Sequence, residues 1–551
     1  MSGGRAIRRL VVLLATTALG VLLHRDAVAQ NVTTGPSYYA NESVFFQVGA
    51  DGTPGVDANG SNGCVSGPVP GGNASAGPTV SGPVVYTPIY SVWPGTIVVA
   101  ASSGGTGGNG GNGDPQGQCG KGDFNGGNGG AGGNVQVTIS PGTGVPSGGA
   151  DIANTAIVAF SHGGDGGKGG DNTRAKSGYV GGDGGAAGAG GSVTITNSVA
   201  LNVSGGGSVY GIVAQSAGGQ GGEGGSSDNG TAQGGSGLPG GAGGAVLVTN
   251  NSRITTDGGM AIAAQSIGGF GGDAGVNTKG YGGGAGYGGD GGTVTISNSG
   301  GLVVGKANLP DCSDSITTNC NTVSAFALAA QSVGGGGGNA GAKAGLHALG
   351  ASGGTAGIGN SVTVTNSGSI ATFGSSSIGI YAQSVGGGGG SGGMAVSSGS
   401  HTTAIGGSGG DGGSGGVVFV SNSGSVCTGN GCIAGLSATA VNDSAGGAAG
   451  IFTQSVGGGG GIGGYAKSTA AASSIFGNSS AVALGGTGGG GGSGFQVGVL
   501  NSGSITTVEI SSPGVLAQSI GGGGGSGGGA LAFAVAALGD AAAISHGGSG
   551  G

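Results

Sequence analysis

The chain has 551 residues, 156 of them glycine, and only 6 % carry charge. Ordinary soluble domains hold about 7 % glycine and about 25 % charged residues, so this is not one of them, and disorder driven by charge repulsion is excluded too. Collagen is excluded because glycine keeps no every-third register along the chain and proline totals 14; the net charge of −8 comes with no basic stripe, which argues against nucleic acid as a partner.

Arg5, Arg8 and Arg9 precede an apolar run from Leu10 to Leu23, and Ala27-Val28-Ala29 has the small-x-small form of a cleavage site. Residues 1–29 therefore read as a secretory signal peptide cut after Ala29, in preference to a buried N-terminal helix. The run is too short for a comfortable bilayer span. Without it, nine basic and twenty acidic residues remain, a net charge of −11. Six cysteines fit an oxidising compartment. Cys312 with Cys320, and Cys427 with Cys432, are each expected to close a local disulfide in an inserted loop. Cys64 and Cys119 pair only by elimination. Neither close pair has a histidine nearby or a zinc-site spacing, so no metal site is expected.

Residues 30–103 hold most of the prolines and the lone Trp93. Strand signals lie at Val44–Val48 and Thr96–Ala100. This region is expected to cap the array that follows, as stacked repeats need an atypical end. From Gly104 to Gly551 one phrase recurs: Ala382-Gln383-Ser384-Val385 and five glycines, with Gln215, Gln265, Gln331, Gln454 and Gln518 in the other copies. Ala159-Phe160-Ser161-His162 is a worn copy. Roughly 50 to 70 residues separate successive copies, the mark of a repeat array.

Each unit spells three short strands. Val193-Thr194-Ile195-Thr196 alternates apolar and hydroxyl residues and ends in Asn197-Ser198; later units end in Asn-Ser-Gly, as at Asn366 and Asn422. Ser369-Ile370-Ala371-Thr372 comes second and Gly379-Ile380-Tyr381-Ala382-Gln383 third. The predicted fold is all-β, a right-handed parallel β-helix or solenoid, with Val and Ile inward and Thr and Ser outward by the period of two. Corner asparagines suit the left-handed backbone region and a side-chain ladder from unit to unit; the glutamines suit a second ladder. A plain turn is the simpler account of Asn-Ser-Gly.

The glycine tracts keep a Gly-Gly-X period, as in Gly406-Gly407-Ser408-Gly409-Gly410-Asp411. Period three matches polyproline II, so each unit could carry a pair of extended hairpin arms. Flexible loops are the equal alternative. Between the arms lie variable tips, which hold or adjoin Lys168, Arg174, Lys176, Lys279, Lys343 and Lys467. Variable loops on a repeated frame are where recognition is usually placed, although loop filler explains them equally well.

No catalytic group, cofactor site or metal site is expected. Ser161, His162 and Asp165 are triad residue types without a scaffold. The Gly-Gly-Asp-Gly-Gly elements resemble a calcium repeat at the wrong offset. Paired carboxylates for polysaccharide cleavage are not visible.

Leader, Asn-Ser-Gly corners, Gly-Ile-x-Ala-Gln-Ser phrases and glycine tracts together resemble the passenger region of bacterial autotransporter (type V secretion) surface proteins. The resemblance implies export through the periplasm and display at the Gram-negative cell surface as a non-enzymatic adhesin or stalk. Host-cell, matrix or self-association partners would meet the tips. The family's outer-membrane β-barrel translocator is not found in this sequence, and the array stops in mid-unit at His546–Gly551, so a fragment of a longer product is expected. The alternatives are a secreted glycine-rich structural or ice-binding protein, suggested by Thr194/Thr196 and Thr363/Thr365, and, less favoured, a β-helical polysaccharide-active enzyme.

Overall fold

The computed structural model describes residues 98–551 apart from 113–124, 141–149, 172–179, 205–208, 228–232, 278–281, 306–325 and 433–446 and the turn positions 154, 375, 430–431 and 509–510. Before residue 98 it describes the strands Ser43–Val48 and Val80–Val85, the segment 71–77 and residues 50 and 53. The leader, Trp93, Cys64, Cys119, Cys312 and Cys320 lie outside the described residues.

Every strand pairing among the described residues is parallel, and the strands fall into five sheets of nine, eight, seven, four and four. The three large sheets are the walls of a parallel β-helix. One coil runs Val362–Asn366, Ile370–Thr372, Ile378–Val385, one strand in each wall. We call these walls the asparagine, short and glutamine sheets. Ser43–Val48, Val80–Val85 and Val98–Ser103 are the first members of the same stack: the first and third lie in the glutamine sheet, the second in the asparagine sheet.

Alternation sets the inside. Val193, Val246, Val294, Val362 and Val418 form one fully buried column. Leu201, Ile254, Leu302, Ile370 and Val426 form another, and Ile157, Ile212, Ile262, Leu328, Ile380 and Ile451 a third. The third wall alternates its branched residues with alanine, at Ala159, Ala214, Ala264, Ala330 and Ala382, which fits the narrow interior. A single core runs the length of the stack.

The glycine tracts are ordered. Gly386 donates its N–H to Val456 O and Gly389 to Gly459 O, both on the same arm of the next coil. Gly387 and Gly390 donate instead to Gly357 and Gly354 on the returning arm of the coil before. The returning arm closes the pattern, with Gly407, Gly410 and Gly413 donating to Gly393, Gly390 and Gly387. Two bonds per triplet, aimed in two directions, are the period of polyproline II and not of a strand. None of these tract glycines lies in the left-handed backbone region. They are needed for space: a Cβ on Gly390 would sit 1.8 Å from Gly338 O, and one on Gly389 would sit 1.9 Å from Gly410 O.

Hydrogen exchange should therefore resolve the tract at single-residue period. Gly386, Gly387, Gly389 and Gly390 are expected to be strongly protected, and Gly388, whose N–H faces outward, to exchange fast. Exchange across 386–390 at the uniform rate of free peptide would exclude the arm bundle.

Two features differ from expectation. The corner asparagines are not left-handed; among described non-glycine residues only Ser376 and Ser511 have positive φ. Asn366 is the last residue of its strand and its side chain, not its backbone, makes the corner. The tips are also more structured than variable loops. From Lys343 onward each holds two strands, and these stack into the two four-stranded sheets: Lys343–Gly345, Ala395–Gly399, Ala466–Ala471 and Ala530–Val535 in one, His347–Leu349, His401–Ile405, Ser479–Leu484 and Ala541–His546 in the other.

Candidate functional site: ladders and a tip blade

The glutamines form a continuous ladder. Gln215 Nε2 donates to Gln265 Oε1, and the chain of bonds passes through Gln331, Gln383 and Gln454 to Gln518 at 2.6–3.3 Å. In the worn copy Phe160 stands in register with Gln215, so the ladder begins one coil later. The asparagines form a second, buried ladder. Asn298 Nδ2 donates to Asn366 Oδ1 at 2.7 Å, and Asn366 Nδ2 to Asn422 Oδ1 at 2.7 Å. The other N–H of each amide closes the corner on the carbonyl two residues on, at Gly300, Gly368 and Gly424. Each amide group is thus held at both ends and within its own turn, which is what makes a buried polar column tolerable.

The serine beside each glutamine performs a task that sequence reasoning missed. Ser384 Oγ donates to Asn360 O and accepts from Gly416 N–H, each bond being 2.7–2.8 Å. Ser161, Ser216, Ser266, Ser332 and Ser455 repeat the motif. These fully buried hydroxyls stitch the end of the glutamine sheet to the returning arms, at the neck where the arms leave the coil. The residue's fixed place before the glycines was visible; its partners lie in another tract and were not.

On the arms, Asn and Asp at the X position cap the outward N–H of the next coil. Asp165, Asp183 and Asp411 accept from Gln220, Ser236 and Gly490 N–H at 2.6–2.7 Å, and Asn128 accepts from Ala186. Those aspartates, with Asp290, which accepts from Ile358 N–H at 2.9 Å, are the ones in the calcium-like elements, and Ser161 belongs to the serine stitch. Among the described residues no group of three or more His, Cys, Asp or Glu is placed to hold a metal ion.

Cys427 and Cys432 are bonded, with Cα atoms 5.7 Å apart, and pack with Phe373 against Val303, Ala371 and Val508. The disulfide pins the turn that leads out of the short sheet. On the outer face of the glutamine sheet Tyr381 stacks between Phe326 and Phe452, with ring centroids 5.8 and 5.6 Å away. Burial pushes its phenol far above the usual tyrosine range.

The tip blade has an alanine interior: Ala348, Ala395, Ala404, Ala466 and Ala483. A short polar chain runs through it, Ser397 Oγ to Ser468 Oγ and Ser468 Oγ with Thr402 Oγ1, at 3.0 and 2.8 Å. Lys343, the first member of the inward column, is buried, and desolvation lowers its pKa below the ordinary lysine value. His401 Nδ1 lies 2.9 Å from Ser480 Oγ on the exposed face, where nothing is assembled around the pair to make a nucleophile. Of the basic tip residues, Arg174, Lys176 and Lys279 fall outside the described residues.

Comparison with protein families, with curated proteins and with solved structures gives no match.

Proposed function

We propose that this chain is an exported, non-enzymatic rod, displayed or released at a Gram-negative-type cell surface, that acts as an adhesive or structural stalk. One observation carries the reading: equivalent positions stack in register coil after coil, in the walls, the arms and the tips, with identical residues in the glutamine and asparagine ladders. Each further coil then adds about 4.8 Å of length and one more tip. Many weak tip contacts on one stiff support add up by multivalency, without any single strong site. The leader-like start supports export, and the resemblance to autotransporter passengers supports display. A β-barrel translocator carried elsewhere is part of the proposal.

The test is recovery of the full chain, leader included, from a Gram-negative host. A mature N-terminus at Gln30 in the periplasm or medium is the expected result, together with retention of protein-coated beads on cell or matrix layers. An intact leader on cytoplasmic protein, or coated beads that wash off like bare ones, would end the reading.

A second reading rests on the asparagine sheet. Its outward positions place Thr194 and Thr196, Thr295 and Ser297, and Thr363 and Thr365 on one parallel face. Leu247 and Phe419 interrupt it. Thermal hysteresis in a freezing assay would favour ice binding over adhesion.

A further inference from the structure

We propose that three Asn-Gly pairs of the first arms are latent sites of spontaneous deamidation, locked while the arms are folded and released when the chain unfolds. The inference is independent of where the rod is displayed. Asparagine is a thermolabile residue, and its chemistry needs only water. The backbone nitrogen of the next residue attacks the side-chain carbon Cγ, an N–Cγ bond forms, and the amide nitrogen leaves as ammonia. Water then opens the resulting succinimide ring at one of its two carbonyls. One opening leaves aspartate; the other leaves isoaspartate, in which the main chain runs through the former side chain. Glycine as the next residue gives the attacking nitrogen the freest approach, since it has no side chain. The sequence holds eight Asn-Gly pairs. Three have both members among the described residues: Asn109-Gly110 on an outgoing arm, and Asn125-Gly126 and Asn128-Gly129 on the returning arm of the same coil.

In each of the three, one residue of the next coil is clasped at both its backbone groups. Asn128 Oδ1 accepts from Ala186 N–H at 2.9 Å, and Gly129 N–H donates to Ala186 O at 2.8 Å. Asn125 and Gly126 hold Asp183 in the same way, both bonds at 2.8 Å, and Asn109 and Gly110 hold Lys168 at 2.9 and 2.7 Å. The two groups that must join, the asparagine amide and the glycine nitrogen, are thus both tied to the neighbouring coil. Ring closure requires the glycine N–H to lose its proton and Cγ to swing onto the nitrogen, and each movement breaks one half of the clasp. The reaction is therefore confined to locally opened chain.

The two products act differently on the arm. Aspartate fits, because Asp165 and Asp183 already clasp Gln220 and Ser236 with the same pair of bonds. Isoaspartate adds one atom to the main chain and removes the side-chain acceptor. The triplet register that puts Gly129 N–H on Ala186 O and Gly130 N–H on Gly105 O is then lost. An unfolded chain consequently ages in one direction, toward a form whose first arms no longer close.

The test incubates the full chain in mildly alkaline buffer, folded or held in urea, and reads deamidation at each asparagine by peptide mass spectrometry. Asn109, Asn125 and Asn128 are expected to react about 100-fold more slowly in the folded chain, in proportion to the rarity of local opening. Ala186→Pro isolates the lock. Proline suits the arm, since Pro239 holds the same place one coil on and accepts from Ala187 N–H, but it has no N–H to give Asn128. The variant is expected to deamidate severalfold faster at Asn128 alone, with Asn125 as slow as in wild type. Unchanged exchange protection at Gly126 and Gly127 certifies that its arms are folded. When urea is removed from an aged sample, molecules that regain protection at Gly129 and Gly130 are expected to carry aspartate and to be depleted of isoaspartate. The proposal fails if the three sites react as fast in the folded chain as in urea, or if Ala186→Pro leaves Asn128 as slow as in wild type. It fails equally if refolded and unfolded fractions hold the same share of isoaspartate.

Discussion

Gly390→Ala is expected to destabilise the arms by about 3 kcal/mol or more, while Gly388→Ala, two residues away, costs nothing. The five glycines differ only in where a Cβ would point. At Gly386, Gly387, Gly389 and Gly390 it would meet a carbonyl oxygen at 1.8–2.1 Å, whereas at Gly388 the nearest atom is 3.8 Å off. The obstacle at Gly390 is backbone held in hydrogen bonds on both sides, so it has no flexible end to move. Overpacking of close-packed interiors costs about 1–3 kcal/mol even when side chains can give way. At Gly388 the backbone lies outside the left-handed region, so alanine also narrows the unfolded ensemble, which favours folding by about 0.4–1 kcal/mol. Denaturant unfolding of both variants, with exchange at Gly386–Gly393 as a local readout, checks the pair. Equal losses at the two positions would mean that glycine serves flexibility there and not close approach.

That contrast also explains what was legible in the sequence. Gly-Gly-X could be read as a triplet period, and Gln383 and Asn366 as ladder positions, because identical residues returned at a fixed place in each unit. The inward columns followed from alternation, since Val, Ile and Thr differ enough in polarity to show a period of two. Order in the tracts could not be read, because every bond that fixes Gly387 or Gly390 comes from a different tract and a glycine run carries no pattern of its own. The tip strands were hidden for a related reason. Ala395-Val396-Ser397-Ser398 and Thr402-Thr403-Ala404 offer little contrast between faces, and their register is imposed by neighbouring coils. The left-handed corner was a misreading of asparagine. Its reputation rests on turns in water, while here a buried amide closes the turn through Gly368 O and leaves the backbone extended. The serine stitch falls between these cases: the fixed place of Ser384 is legible, yet its two partners lie 24 and 32 residues away in sequence.

Asn366→Ala is expected to cost about 3 kcal/mol or more, although it removes no apolar contact. The substitution orphans three buried groups together: the Nδ2 donor of Asn298, the Oδ1 acceptor of Asn422 and the carbonyl of Gly368. Each buried polar group left without a partner costs about 1–3 kcal/mol. Asn366→Asp separates this cause from simple loss of volume. Its carboxylate can still accept from Asn298, but it turns a negative charge toward the Gly368 carbonyl and Asn422 Oδ1. Burial and these acceptors favour the protonated acid, so its folded pKa is raised above the unfolded value of about 3.9. The folded state then binds more protons than the unfolded one, and stability falls as pH rises from about 4 toward neutrality. Below pH 4 the protonated oxygen supplies one of the two missing donors. Urea unfolding of Asn366→Asp at pH 3.5 and at pH 7, each referenced to wild type, is expected to show the smaller loss in acid. A pH-independent loss would mean that the ladder only fills space, and the buried chain of amides would no longer explain why successive coils keep one register.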